Sequence, residues 1–89
     1  MRSTLIINVK GFSNKTIAEI RERGKLTRKD FVPSMPRAYY KRNGDQFKIT
    51  GWPEFVKELH KKLKAYFYRT RKKRHHRLAY DRIHEAQIT

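Results

Sequence analysis

The stretch at residues 38–50, AYYKRNGDQFKIT, carries the clearest local pattern in the chain. Two runs rich in aromatic and β-branched side chains, residues 38–42 and 46–50, flank the tripeptide Asn43-Gly44-Asp45. Asn-Gly is the dipeptide that tight hairpins prefer, because it tolerates a positive φ. The pattern therefore predicts a β-hairpin in the middle of the chain.

Upstream of the hairpin, the sequence predicts a strand, a short helix and a loop. Residues 3–10 carry apolar side chains at every second position, which is typical of a strand. Ser13 suits the N-cap of a helix, but a capping box at Thr16-Ile17-Ala18-Glu19 leaves the helix start open by one turn, and Gly24 can end that helix in the left-handed conformation. Residues 25–37 contain two prolines and no sustained hydrophobic period, so we expect a loop there.

Downstream of the hairpin, Gly51-Trp52-Pro53 closes the second strand and begins a helix, since proline suits the first helical turn. No glycine or proline follows Pro53, so the pattern predicts one helix up to Ala86. The predicted order β-α-β-β-α is that of an α+β fold, with a small sheet of about three strands and a long basic C-terminal helix. We expect a compact α+β domain over residues 1–70 and a basic helical extension over residues 71–89, continuous with the last helix.

The predicted long helix has two different faces. One face is apolar and would pack on the sheet; it contains Val56, Leu59, Leu63, Tyr66, Phe67 and Thr70. The second face lies about 100° away on the helical wheel and is almost entirely cationic. Its members are Lys57, Lys61, Lys64, Tyr68, Arg71, Lys72 and His75. Beyond Thr70 the apolar face fails, because Arg74 occupies the next core position.

The charge balance narrows the possible functions. The 89 residues include 23 Lys and Arg against 8 Asp and Glu, which gives a net charge of +15 at pH 7. A field of this sign attracts polyanions, and nucleic acids are the most common large anions in cells. The absence of cysteine excludes a disulfide scaffold, a zinc finger and a thiol nucleophile, and it favours the reducing cytoplasm. The longest apolar run, Leu5-Ile6-Ile7, is far too short to cross a bilayer, so we expect no membrane span.

The positive charge is densest in residues 69–77, RTRKKRHHR, where six of nine residues are Lys or Arg. Neighbouring cations repel each other along a helix, so we expect this segment to fray or be disordered on its own and to become helical when phosphates neutralise it. The segment resembles the arginine-rich motifs with which short helices bind structured RNA. This resemblance covers nine residues, and it implies that the arginines span phosphates on both sides of a groove.

We therefore predict a non-enzymatic protein that binds the phosphate backbone of nucleic acid, with RNA slightly favoured over duplex DNA. The preference for RNA rests on Thr70, His75 and His76, which place hydrogen-bonding groups among the cations. The residues predicted to contact phosphates are Lys57, Lys61, Lys64, Arg69, Arg71, Lys72, Lys73, Arg74 and Arg77. Tyr39, Tyr40 and Tyr68 are candidates for stacking on bases, although aromatic side chains in a chain with few aliphatic residues also serve as core.

Two alternatives concern the basic face. It could be a solvated surface that keeps a small protein soluble. It could also belong to a small inhibitor or adaptor that occupies the nucleic-acid channel or an acidic groove of a protein partner. The aromatic residues that would assist such a partner contact are Trp52, Phe55, Phe67 and Tyr68. Attachment to a membrane surface is disfavoured, because no wide hydrophobic face continues beyond Phe67.

The four histidines raise the possibility of an enzyme. A metal-independent ribonuclease would assemble histidine, tyrosine and lysine from distant positions, which sequence alone does not expose. The spacing of His60, His75, His76 and His84 forms no metal-binding motif. We therefore expect neither an enzyme nor a bound metal or cofactor.

Overall fold

A five-stranded sheet forms the frame of the computed structural model, which describes residues 2–28 and 38–89. The elements in chain order are β1 (Ser3–Asn8), α1 (Asn14–Gly24), β2 (Thr27–Arg28), β3 (Ala38–Asn43), β4 (Gln46–Gly51), α2 (Pro53–Arg69), α3 (Arg74–Glu85) and β5 (Gln87–Ile88). Four antiparallel strands lie in the order β3-β4-β1-β5, and β2 pairs parallel to β3 at the edge. The α+β class is confirmed. The sheet exceeds the expected three strands because two short segments, β2 and β5, add to its edges.

The hairpin predicted for residues 38–50 is confirmed as β3 and β4. Asn43 pairs with Gln46, which leaves Gly44 and Asp45 as a two-residue loop. Gly44 has φ of 62° and stands at the first position of this loop, where a type II′ turn requires glycine. Asn43 therefore ends the strand and does not form the centre of the turn.

The two faces of the sheet differ in burial. Leu5 pairs with Ile49, and Ile7 pairs with Phe47. All four side chains are fully buried in the core that the sheet shares with the helices. Their neighbours along β1 and β4 point to the opposite face of the sheet and are partly or fully exposed.

The predicted N-cap of α1 is confirmed, whereas the predicted role of Gly24 is not. The Ser13 hydroxyl oxygen accepts a hydrogen bond from the Thr16 backbone N–H at 3.2 Å. The left-handed residue that follows the helix is Lys25, with φ of 49°. Gly24 is instead constrained by packing, because a Cβ at this position would stand 2.9 Å from Leu26 Cγ and 3.0 Å from a Leu59 methyl carbon.

The C-terminal helix is interrupted, so the prediction of one helix to Ala86 is wrong. α2 ends at Arg69, and residues 70–73 form a turn before α3 begins. Thr70 leaves the helical region with φ of −104° and ψ of 11°, and Lys73 is extended with ψ of 133°. Two physical causes favour the break: repulsion among consecutive cations, and the apolar side chains of α3, which a continuous helix would carry into solvent.

The turn changes which C-terminal side chains are buried. On a continuous helix Ala79 and Ile83 would point away from the core, but α3 buries His76, Ala79 and Ile83 along one face. Ala79 and Ile83 belong to the same hydrophobic core as α1, α2 and the sheet. Residues of the expected extension therefore supply part of the core.

The predicted loop at residues 25–37 lies mostly outside the described ranges, and its described part contains β2. In the parts of the chain that the structure covers, none of the helices is both long enough and apolar enough to cross a bilayer.

Candidate nucleic-acid interface

A buried polar network fixes the turn between α2 and α3. The His76 ring, only 4% exposed, places Nδ1 2.7 Å from Thr70 Oγ1 and Nε2 3.1 Å from Glu19 Oε2. The Tyr66 hydroxyl donates to the same carboxylate at 2.8 Å. The Thr70 hydroxyl donates to the Tyr66 carbonyl oxygen at 3.0 Å. Side chains from all three helices thus hold the turn from inside.

The carboxylate of Glu19 is the charged centre of this network. Partial burial raises its pKa, but hydrogen bonds from Tyr66 and His76 and the charges of His76 and Lys73 outweigh burial and hold the pKa below 4.5. Glu19 is therefore ionised at neutral pH and can only accept hydrogen bonds. It follows that His76 Nε2 carries a proton and donates to Glu19.

Exposed cations converge on one side of the turn. Four of them line a cleft of about 310 Å³, which we call the cationic cleft: Arg71, Lys72, Arg74 and Arg77. Within residues 2–28 and 38–89, no carboxylate oxygen lies within 4.0 Å of these side chains, and the ion pair found there joins His76 to Glu19. The positive charge of the cationic cleft is therefore not neutralised by the described part of the protein.

The N-terminus of α3 adds to this positive potential. Lys73 is the N-cap residue and makes no side-chain capping hydrogen bond, and the first turn of α3 contains no acidic residue. Cations at a helix N-terminus are unfavourable by about 0.3–1 kcal/mol, because they oppose the helix dipole. An anion in the cationic cleft would relieve both this repulsion and the repulsion between the side chains.

A second depression, which we call the aromatic groove, lies between α2 and α3. It is shallow and open to solvent, has a volume of about 530 Å³ and is lined by Lys64, Ala65, Tyr68, Arg69, Tyr80 and His84. The Tyr80 ring centroid lies 5.6 Å from that of Tyr68 and 5.7 Å from that of His84. The Arg71 guanidinium carbon lies 3.8 Å from the Tyr68 ring centroid. Arg71 therefore connects the aromatic groove to the cationic cleft.

The structure brings together most of the predicted phosphate-binding residues. Six of the nine line one of the two depressions: Lys64, Arg69, Arg71, Lys72, Arg74 and Arg77. Lys57 and Lys61 are exposed on α2, nearer its N-terminus. Lys73 lies close enough to Glu19 for its charge to lower the pKa of that carboxyl group.

The three tyrosines predicted as stacking candidates occupy different environments. Tyr40 stacks on the buried Phe47 ring, with centroids 5.2 Å apart and planes 9° apart, and packs against the core. Tyr39 lies on the opposite face of the sheet, with the Arg2 guanidinium carbon 5.7 Å from its ring centroid. Tyr68 alone of the three adjoins the cationic cleft.

The aromatic residues suggested for a protein partner are only partly accessible. Phe67 is fully buried, and Phe55 packs against the core. Trp52 is 49% exposed and Tyr68 is 50% exposed. The hydrophobic surface that would support an adaptor is thus smaller than the sequence suggested.

Two of the four histidines make hydrogen bonds with other parts of the described protein. His60 Nε2 lies 2.7 Å from the Ile83 carbonyl oxygen and ties α2 to the end of α3, and His76 is part of the buried network. Among the residues that the structure describes, no three His, Asp or Glu side chains are grouped so that they could hold a metal ion.

Sequence reasoning did not identify Glu19, Tyr80 or His84 as parts of this region. Tyr80 and His84 are four residues apart, which is a helical signal for a shared face. That face could be placed beside Tyr68 only after the turn at residues 70–73 was known. Glu19 and His76 are 57 residues apart in the sequence, so no local sequence pattern predicts their contact.

Comparisons of the chain with protein-family models, with curated proteins and with solved structures found no match.

Proposed function

We propose that the protein binds structured RNA through its phosphate backbone, without catalysing a reaction, and that the cationic cleft is the main contact. The observation that carries this proposal is the convergence of four exposed cations on one cleft in which no described carboxylate pairs with them. Like charges held close together repel each other. A bound polyanion removes this repulsion and releases the counterions condensed on the RNA.

The anchoring of the turn supports the same function. The His76 network fixes the backbone of residues 70–76 from the core side, while the cleft side chains remain exposed. Arginine guanidinium groups bind phosphate oxygens through two parallel hydrogen bonds, and three of the four cleft cations are arginines. Binding then requires side-chain ordering but little reorganisation of the backbone.

The shape of the cationic surface favours RNA over duplex DNA. A protein that recognises bases in the DNA major groove through a helix presents the contacting side chains along one continuous helix. Here the cations surround a turn between two helices, and the exposed His75 adds a hydrogen-bonding group beside them. A compact cationic turn of this kind suits the irregular phosphate positions of folded RNA.

The test compares two variants that lose the same charge. One changes all four cleft cations, in Arg71→Gln, Lys72→Gln, Arg74→Gln and Arg77→Gln. The matched control changes four cations that line neither depression, in Arg2→Gln, Lys25→Gln, Lys41→Gln and Lys48→Gln. Fluorescence anisotropy with a labelled RNA hairpin at low salt measures the affinity of each protein.

We expect the cleft variant to bind at least about tenfold more weakly than the parent, and the control to lose about threefold or less. Equal losses in the two variants would contradict a localised site and would favour a diffuse charge effect. Absence of RNA binding by the parent chain would overturn the proposal, and a defined complex with an acidic protein would then favour the adaptor alternative.

A further inference from the structure

The aromatic groove combines two kinds of surface that rarely occur together. Its walls carry the rings of Tyr68, Tyr80 and His84, with interplanar angles of 60° between the first two and 30° between the last two. Tyr68 is one of two exposed large hydrophobic residues within the described part of the chain. The rings are thus splayed around an open, mainly aromatic concavity on a strongly charged protein.

Cations surround this concavity. Lys64 and Arg69 line it directly, and the Arg71 guanidinium lies over the Tyr68 ring. No carboxylate of the described residues lies within 4.0 Å of these three side chains. The groove is therefore aromatic at its walls and electropositive at its rim.

The chemistry of the groove selects one kind of ligand. An isolated phosphate would gain nothing from aromatic walls, and an apolar peptide would gain nothing from a cationic rim. A nucleotide satisfies both, because a flat base stacks on aromatic rings while its phosphates contact the cations.

We infer that the aromatic groove is a subsite for an unpaired nucleotide of the bound RNA. Its base stacks against Tyr80 and takes the place of the Arg71 guanidinium on the Tyr68 ring, which frees that guanidinium to contact the phosphates together with Lys64 and Arg69. A base inside a continuous helix has both faces covered by its neighbours, so only a bulged, looped or single-stranded base can enter. This inference rests on the proposed function and specifies its substrate class, which is an RNA stem next to an unpaired nucleotide.

The shared position of Arg71 explains how one RNA would use both depressions. Arg71 lines the cationic cleft and also lies 3.8 Å from the Tyr68 ring centroid. A stem whose backbone crosses the cationic cleft therefore brings the next nucleotide to the entrance of the groove. Specificity for RNA structure arises from this geometry and does not require hydrogen bonds to a particular base edge.

The test uses two RNA hairpins that differ in one nucleotide. The first has a fully paired stem, and the second carries a single unpaired 2-aminopurine in that stem. Affinities are measured with the parent chain and with Tyr68→Leu, Tyr68→Phe and Tyr39→Leu. Tyr68→Phe retains the ring, and Tyr39→Leu is the matched control because Tyr39 lies on the open face of the sheet.

We expect the parent to bind the bulged hairpin about tenfold more tightly than the paired one, with quenching of the 2-aminopurine fluorescence. Tyr68→Leu removes this advantage and the quenching but leaves affinity for the paired hairpin within about threefold. Tyr68→Phe and Tyr39→Leu preserve both the tighter binding of the bulged hairpin and the fluorescence quenching. The paired hairpin thus separates loss of stacking from a change at Arg71.

Two results would overturn the inference, and they have different meanings. If the parent binds both hairpins equally, or if Tyr68→Leu keeps the preference for the bulge, the groove is not a base subsite while the proposed function stands. If the parent binds neither hairpin at low salt, the proposed function and the inference both fail.

Discussion

At the scale of single residues, Glu19 links the stability of the protein to pH. Its pKa is lower in the folded protein than the ordinary value of 4.5, so protonation favours the unfolded chain. The stabilisation is fully present above pH 4.5 and is lost as the pH falls through the lower pKa of the folded state. Changing Glu19→Gln should lower the free energy of unfolding at pH 7 by about 1–3 kcal/mol.

Urea unfolding of the parent, Glu19→Gln and Glu22→Gln from pH 7 down into the acid range checks this prediction. Glu22 lies on the same helix but is exposed, which makes it the matched control. The difference between the parent and Glu19→Gln should shrink as the solution becomes acidic. A difference that is constant with pH would show that the charge of Glu19 contributes nothing.

Arg74 is expected to lower the stability of the folded protein while contributing to RNA binding. It occupies the first turn of α3, where the helix dipole disfavours a cation. Changing Arg74→Glu should therefore raise the free energy of unfolding of the unbound protein by about 0.3–1 kcal/mol and weaken RNA binding. Chemical denaturation and anisotropy on the same preparations measure the two effects. A variant that is both more stable and equally tight in binding would remove Arg74 from the interface.

At the scale of elements, the turn at residues 70–73 depends on the Thr70 hydroxyl. Changing Thr70→Val removes the hydrogen bond that its hydroxyl donates to the Tyr66 carbonyl oxygen and leaves His76 Nδ1 without its hydroxyl partner. An unsatisfied buried polar atom costs about 1–3 kcal/mol, so we expect a loss of that size in urea unfolding. Thr50→Val also removes one hydrogen bond, to Thr4 Oγ1 at 3.1 Å, but on the partly exposed sheet face water can replace it, so the expected loss is smaller, about 0.5 kcal/mol. Equal effects of the two substitutions would show that the hydroxyl does not hold the turn.

The elements that sequence predicted correctly are those set by short-range rules. The Asn43-Gly44 dipeptide predicts the hairpin, although only its glycine lies in the two-residue loop. The Ser13 cap predicts the start of α1, and Pro53 predicts the start of α2. The break after Arg69 follows no such rule, because it depends on packing α3 against a core that other elements form. Arg74 at an expected core position was the local sign that the apolar face had failed.

At the scale of the whole molecule, α3 completes the core. Ala79 and Ile83 are fully buried, and the His76 ring lies edge-on to the buried Phe67 ring with centroids 5.0 Å apart. A chain that ends at Lys72 would expose this part of the core, so we predict that it does not fold cooperatively. Circular dichroism during urea titration checks this prediction. A sharp transition like that of the full chain would support an independent domain over residues 1–70.

The candidate site could be predicted in composition but not in shape. The density of positive charge predicts that residues 69–77 belong to the site, and helical spacing predicts the same for Lys64 and Tyr68. Arg71 and Arg77 line the same cleft only because the chain changes direction at the turn. The pattern of charges along one continuous helix does not predict this change of direction. Tyr68 and Tyr80 likewise come together only because the chain changes direction at the turn.

The salt dependence of RNA binding tests the central claim most directly. Each phosphate contact contributes about 0.7–0.9 to the slope of log affinity against log salt concentration. The variant with all four cleft cations changed to Gln should therefore lose about 3 units of slope on a hairpin RNA, and the charge-matched control variant less than about 1. Slopes that fall equally in the two variants would contradict a phosphate-binding cationic cleft.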